Sequence, residues 1–72
     1  MKYEDEKKYN VYIIKNDGVA VALIGSNLNE DRADKREMTG LMRIDRENYF
    51  VSSFEVGSVQ DKKSEKQLAK IK

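Results

Sequence analysis

The chain has 72 residues, which is enough for one domain with one small core and too few for two. Lys and Arg number 14 against 13 Asp and Glu, a net charge of +1, so there is no global basic field of the kind that marks a dedicated nucleic-acid module. Cys, His and Pro are all absent, which excludes disulfides, zinc sites and any chemistry that runs on a thiolate or an imidazole.

A domain this small buries only about 60% of its unfolded surface and normally adds disulfides, a metal or a second subunit. With the first two devices excluded, association with a partner protein or a homo-oligomer is the expectation. No run of about 20 apolar residues is present to span a membrane. No apolar stretch follows a basic start as in a secretory signal, so the cytoplasm is the expected location.

Residues 1–8 carry Lys2, Glu4, Asp5, Glu6, Lys7 and Lys8 around one aromatic, Tyr3, and read as a flexible charged arm. The domain is expected over 9–72. Two segments rich in β-branched residues, Tyr9 to Lys15 and Val19 to Ile24, flank Asn16, Asp17 and Gly18, which predicts a hairpin closed by a three-residue loop with Gly18 at positive φ. That loop pairs Lys15 with Val19, Ile13 with Val21 and Val11 with Leu23. Val11, Ile13, Val21 and Leu23 then share one face, and Tyr12, Ile14, Ala20 and Ala22 the other. Both faces are apolar, whereas a hairpin with one wet side alternates, so each calls for cover.

In Asn29 to Glu37 seven of nine residues are charged. Asn27 with Glu30 three positions on has capping-box spacing, Asp31 and Lys35 form an i,i+4 pair, and Gly40 offers a stop. A short solvated helix or an ordered charged loop is predicted. Strand patterns return at Leu41 to Ile44 and Tyr49 to Val56, predicting a second hairpin whose odd loop, Arg46 to Asn48, pairs Ile44 with Phe50 and places Asn48 in the left-handed region. Met42, Ile44, Phe50 and Phe54 would face inward, with Arg43, Asp45, Tyr49, Val51, Ser53 and Glu55 outward. Ser58 and Asp61 repeat the capping spacing before a C-terminal helix over Asp61 to Lys72, whose Lys62, Lys66 and Lys70 form a solvated row. The fold class is therefore α+β: a four-stranded antiparallel sheet of two hairpins, a short charged helix or loop between them, and a C-terminal helix.

No catalytic residue, cofactor site or metal site can be assembled. The serines have no neighbouring base, and the four glycines are spread too widely for a phosphate loop or dinucleotide fingerprint. The carboxylates Glu30, Asp31, Asp34 and Glu37 are interleaved with Arg32, Lys35 and Arg36, which would neutralise a hard-cation site. The chain is thus expected not to be an enzyme.

Two binding readings remain. A protein partner would meet Tyr12, on the second apolar hairpin face, and the charged segment Glu30, Asp31, Arg32, Asp34, Lys35, Arg36 and Glu37, since mixed charge steers encounter. In the alternative, single-stranded nucleic acid would stack on Tyr12 and Tyr49, with Lys15, Arg43 and Arg46 on its phosphates. A short Lys- and Glu-rich chain without Cys, Pro or catalytic residues resembles the small accessory proteins of phages and mobile elements. Many of these occupy a host protein, inhibitors of bacterial defence systems among them, and the resemblance implies a non-catalytic inhibitor or adaptor.

Overall fold

The computed structural model describes residues 7–71. Five elements follow in order: β1 (Tyr9–Lys15), β2 (Ala20–Leu28), α1 (Glu30–Leu41), β3 (Tyr49–Glu55) and α2 (Val59–Ile71). The class is α+β, but the sheet has three strands, in the order β2-β1-β3. Both neighbours run antiparallel to β1.

The first hairpin forms as its turn chemistry dictates. Lys15 N–H donates to the Val19 carbonyl at 2.8 Å and Gly18 N–H to the Lys15 carbonyl at 2.8 Å, with Gly18 at φ 95°, a value that costs a residue without Cβ nothing. Beyond the turn the predicted register fails. Ile14 faces Ala20, but Ile13 faces Ala22, Tyr12 faces Leu23 and Val11 faces Gly25, because β2 carries irregularities at three points. Each extra residue resets the alternation of faces. Ala22 therefore moves to the side of Val11 and Ile13, and Leu23 crosses to the side of Tyr12.

The second hairpin does not exist. Leu41 closes α1, Met42 is its C-cap, and no strand forms before Tyr49. Gly40, expected as the stop, lies inside the helix and is buried. A Cβ there would sit 2.7 Å from Ile24 Cδ1 and 3.2 Å from Val51 Cγ2, so this glycine serves close approach of helix to sheet. Asn48 is not left-handed either; among the described residues, Asn27 (φ 57°) is the one non-glycine at positive φ. Asp45 organises the turn into β3. Its carbonyl accepts the N–H groups of Asn48 (3.0 Å) and Tyr49 (2.9 Å), and its carboxylate accepts from Glu47 N–H (3.1 Å) and the Asn48 side-chain amide (2.7 Å). Strand β3 then pairs with β1 without a bulge, Ile14 facing Phe50, Tyr12 facing Ser52 and Asn10 facing Phe54.

The two helices take opposite faces of the sheet, so both apolar hairpin faces are covered from within the chain. α2 lies over Asn10, Tyr12 and Ile14, packs mainly on β2 and touches β3 only sparsely. The core there is Tyr12, Ile14 and Ala20 with Phe54 and Leu68 against them, and the rings of Tyr12 and Phe54 are tilted at 36° with centroids 5.9 Å apart. Burial of each large side chain contributes about 1.5–3 kcal/mol. α1 covers the face of Val11, Ile13 and Val51, so Tyr49, Val51 and Ser53, expected outward at a wet surface, instead sit half-buried beneath it.

Both caps use short polar side chains. α1 is capped by Asn29, not Asn27, the Asn29 side chain accepting the Arg32 N–H at 2.9 Å. At α2, Ser58 Oγ accepts the Asp61 N–H at 3.2 Å, the pairing that the capping spacing predicts, while the helix begins two residues earlier than expected, at Val59. Lys62, Lys66 and Lys70 are exposed along it. Of the charged arm at 1–8, residues 1–6 lie outside the described residues, and the Lys8 carbonyl accepts the N–H of Val56, the residue after β3, at 2.9 Å.

Candidate interaction surface

A helix turns 100° per residue, so side chains three and four apart share a side. In α1 this sorts charges that look interleaved along the chain. Glu30, Asp34 and Glu37 fall on one side, whereas Arg32, Lys35, Arg36 and Thr39 fall on the other, and Arg43 continues the second row past the C-cap.

The surroundings of the helix follow that division. Glu30 and Asp34 border a hollow of about 110 Å³ with Tyr9, Ala33 and Ser53, and the Ser53 hydroxyl donates to the Glu37 carboxylate. The acids thus face β3. On the β2 side, a depression of about 390 Å³ is lined by Leu28, Arg32, Lys35, Arg36 and Thr39. A second, of about 380 Å³, shares Arg36 and Thr39 and adds Ile13, Ile24, Arg43 and Ile44. The two adjoin at Arg36 and Thr39 on the α1–β2 side and are together called the groove; Ile13, Ile24, Leu28 and Ile44 supply its aliphatic lining and Arg32, Lys35, Arg36 and Arg43 its cations. Among the described residues, no ion pair ties Arg32, Lys35, Arg36 or Arg43 to a carboxylate, so the sorting of charge onto two sides replaces the neutralisation expected from the linear sequence.

Of the residues assigned to a protein partner, Arg32, Lys35 and Arg36 come together at the groove. Glu30, Asp34 and Glu37 stand on the opposite side of α1, and Asp31 is exposed. Tyr12 is a correction. It is 1% exposed, with its hydroxyl 2.7 Å from Asp61 Oδ1, and can touch neither a partner nor a base, because the face expected to await a second molecule is the one α2 fills. The alternative nucleic-acid set loses its central ring for the same reason. Lys15 and Tyr49 do lie opposite each other on β1 and β3, Arg43 lines the groove, and Arg46 Nε donates to the Leu41 carbonyl at 3.2 Å.

Leu28, Ile24, Thr39 and Ile44 were missed by sequence reasoning. For Thr39 the signal was its spacing from Lys35 and Arg36, four and three residues on; Ile24 and Leu28 come to the site only through the fold of β2.

Among the described residues, Asp61 is the one buried carboxylate, 5% exposed. It accepts from Tyr12 Oη (2.7 Å), the Asn10 side-chain amide (2.7 Å) and Gly57 N–H (2.9 Å). Burial pushes its pKa up, but the three donors outweigh that and hold it below the usual carboxylate value. The Tyr12 phenol moves the other way, raised by burial and then by the bonded Asp61 carboxylate. A carboxylate so enclosed joins β1 to α2 and has no access to substrate. Comparison with protein-family models, with curated proteins and with solved structures gives no match, so the reading of this surface rests on its own geometry.

Proposed function

We propose that the protein is a non-catalytic binding protein, an inhibitor or adaptor in the manner of small phage and mobile-element proteins, whose α1–β2 groove takes an acidic segment of a partner protein. The observation that carries this reading is the division of α1 into an acidic side turned to β3 and a cationic side bordering an aliphatic groove. Cations around an apolar floor fit a peptide that presents carboxylates beside a Leu or Ile side chain: the floor buries the aliphatic group, and the rim steers and orients the acids. Guanidinium groups suit this task because their donors match a carboxylate two at a time.

The test is binding of a fluorescent acidic, leucine-containing peptide, measured by anisotropy with the intact protein. Arg32→Glu combined with Arg36→Glu should abolish the signal, and Glu30→Lys combined with Asp34→Lys, on the opposite side, should preserve it. Equal loss in both pairs would remove the groove from the reading. If a single-stranded oligonucleotide binds instead, with an affinity that falls steeply with salt and depends on Lys15, Arg43 and Arg46, the nucleic-acid alternative takes its place.

A further inference from the structure

The sheet has two edges, and they are defended very differently. β2 is irregular at three points, contains a left-handed Asn27, and has its Ala20 N–H taken by the Gln67 side chain at 2.9 Å. Bulges and capped N–H groups are the ordinary means by which proteins prevent strand addition. β3 has no bulge, and its outward groups are taken only at its two ends: seven residues, Tyr49–Glu55, in unbroken register with β1 and with a single charge, at the last position.

The ladder fixes which of its backbone groups are free. Asn16 N–H donates to the Asn48 carbonyl at 3.0 Å and Val56 N–H to the Lys8 carbonyl at 2.9 Å, in the same register as the β1–β3 pairs. Since hydrogen-bonded and non-bonded pairs alternate in an antiparallel ladder, the even-numbered residues of β3 bond to β1 and the odd-numbered ones turn outward. Two of the outward groups are already occupied at the ends: Tyr49 N–H donates to the Asp45 carbonyl at 2.9 Å, and the Glu55 carbonyl accepts from Ser58 N–H at 3.0 Å. Both groups of Val51 and Ser53, the carbonyl of Tyr49 and the N–H of Glu55 are left facing out.

We propose that two copies of this chain join edge to edge through β3, antiparallel, about a twofold axis at Ser52. In that register Val51 exchanges both backbone bonds with the partner's Ser53. Tyr49 stands opposite the partner's Glu55, where the single bond required joins the two groups left free and the other position is the pair already used inside each chain. The register is self-complementary in side chains as well. Phe50 meets the partner's Phe54, Val51 meets the partner's Ser53, and no like charges face each other within the strand pair, while the acidic sides of the two α1 helices flank it on one face. Because α2 leans towards β2, a trough of about 240 Å³ lies open between it and β3, bordered by Phe50, Phe54, Lys63 and Gln67, and Phe50 is 41% exposed. A second copy lays aromatic surface beside that ring and completes a six-stranded sheet. This association is independent of the α1–β2 groove, which lies on the far edge.

Sedimentation of the intact protein should show a dimer that dissociates on dilution, and Ser52→Lys, which sets two ammonium groups face to face on the axis, should yield a monomer with an unchanged circular dichroism spectrum. A second variant guards against misfolding. The chain has no cysteine, and a non-bonded antiparallel pair places its Cα atoms about 4.5 Å apart, within the roughly 4.4–6.8 Å that a disulfide spans. Ser52→Cys should therefore oxidise to a covalent dimer at low protein concentration, whereas Ser26→Cys, exposed on β2, should not. A wild-type monomer at every concentration overturns the proposal, and so does equal cross-linking of the two variants. Capture of a foreign extended peptide by a monomeric protein overturns it as well.

Discussion

The Tyr12 hydroxyl donates to Asp61 Oδ1 at 2.7 Å, joining the middle of the central strand to the first turn of the last helix, 49 residues away. The same oxygen accepts the Asn10 side-chain amide at 2.7 Å, and Asn10 Oδ1 in turn accepts the Asn27 N–H at 2.9 Å. A chain of polar contacts thus runs from α2 through β1 to the end of β2.

Substituting Asp61→Asn leaves the size unchanged but removes the charge and one acceptor, while three donors still converge on the position. Hydrogen bonds to a charged group are worth about 1.5–3 kcal/mol each, so we expect a loss of about 2 kcal/mol in urea unfolding at neutral pH. Tyr12→Phe should cost less, about 1–2 kcal/mol, since the Asn10 and Gly57 donors remain.

The pH dependence has a definite sign. Asp61 titrates lower in the folded protein than its ordinary value, so its contribution is complete above the unfolded pKa of about 3.9 and is lost as pH falls through the folded value. The stability gap between wild type and Asp61→Asn should therefore close in acid. Tyr12 is raised; its contribution is complete below an unfolded pKa of about 10 and lost as pH rises through the folded one. Tyr12→Phe should abolish that alkaline loss. Urea titrations across the pH range check both.

Gly40→Ala tests how closely α1 approaches the sheet. Alanine in a helix interior is ordinarily favoured over glycine by about 1 kcal/mol. Here the added methyl would lie 2.7 Å from Ile24 Cδ1 and 3.2 Å from Val51 Cγ2, so it should destabilise, by about 1 kcal/mol given the usual cost of overpacking. Ile24→Val removes the nearer methyl. In that background Gly40→Ala should become neutral or stabilising, and the double-mutant cycle measures the contact directly.

What the sequence made legible was local. Gly18 and its neighbours specified the hairpin turn, and Ser58 with Asp61 specified the cap of α2, because both depend on residues within a few positions of each other. The bulges of β2 were not legible, since an extra residue in a strand leaves no mark in a pattern of Val, Ala, Leu and Ile. The partner of β3 was not legible either: Leu41 to Ile44 has apolar character that suits a strand as well as a helix end, and Gly40 reads as a stop until Ile24 and Val51 are known to press against it. At the candidate site, Arg32, Lys35 and Arg36 were found by composition. Their separation from Glu30, Asp34 and Glu37 was not, because the segment read equally well as a charged loop, in which residues three and four apart share no side.

Asn27 and Asn29 are the same residue type in opposite conformations and should respond differently. Asn27 is left-handed at φ 57°, so Asn27→Gly should be neutral while Asn27→Ala costs about 1–2 kcal/mol. Asn29 caps α1 from an extended backbone, so Asn29→Ala should cost about 1 kcal/mol and Asn29→Gly only a few tenths. Thermal unfolding of the four variants distinguishes the roles.

The sorted charges of α1 make a prediction about ionic strength. Arg32, Lys35, Arg36 and Arg43 border the groove, and Arg32, Lys35 and Arg43 are exposed along with Arg36, so their pull on an approaching acidic segment acts through solvent. Such attraction is screened beyond about 10 Å at 0.1 M salt and acts mainly on the rate of encounter. Raising salt should therefore slow association with an acidic peptide far more than it speeds dissociation, because the release of the aliphatic group from the floor of Ile24, Leu28 and Ile44 is governed by apolar burial. Arg36→Gln should imitate high salt in the association rate. Ile24→Ala should instead raise the dissociation rate and leave association nearly unchanged. Stopped-flow measurements at two salt concentrations separate these effects, and a peptide whose dissociation alone responds to salt would mean that the cations hold the bound segment rather than steer it.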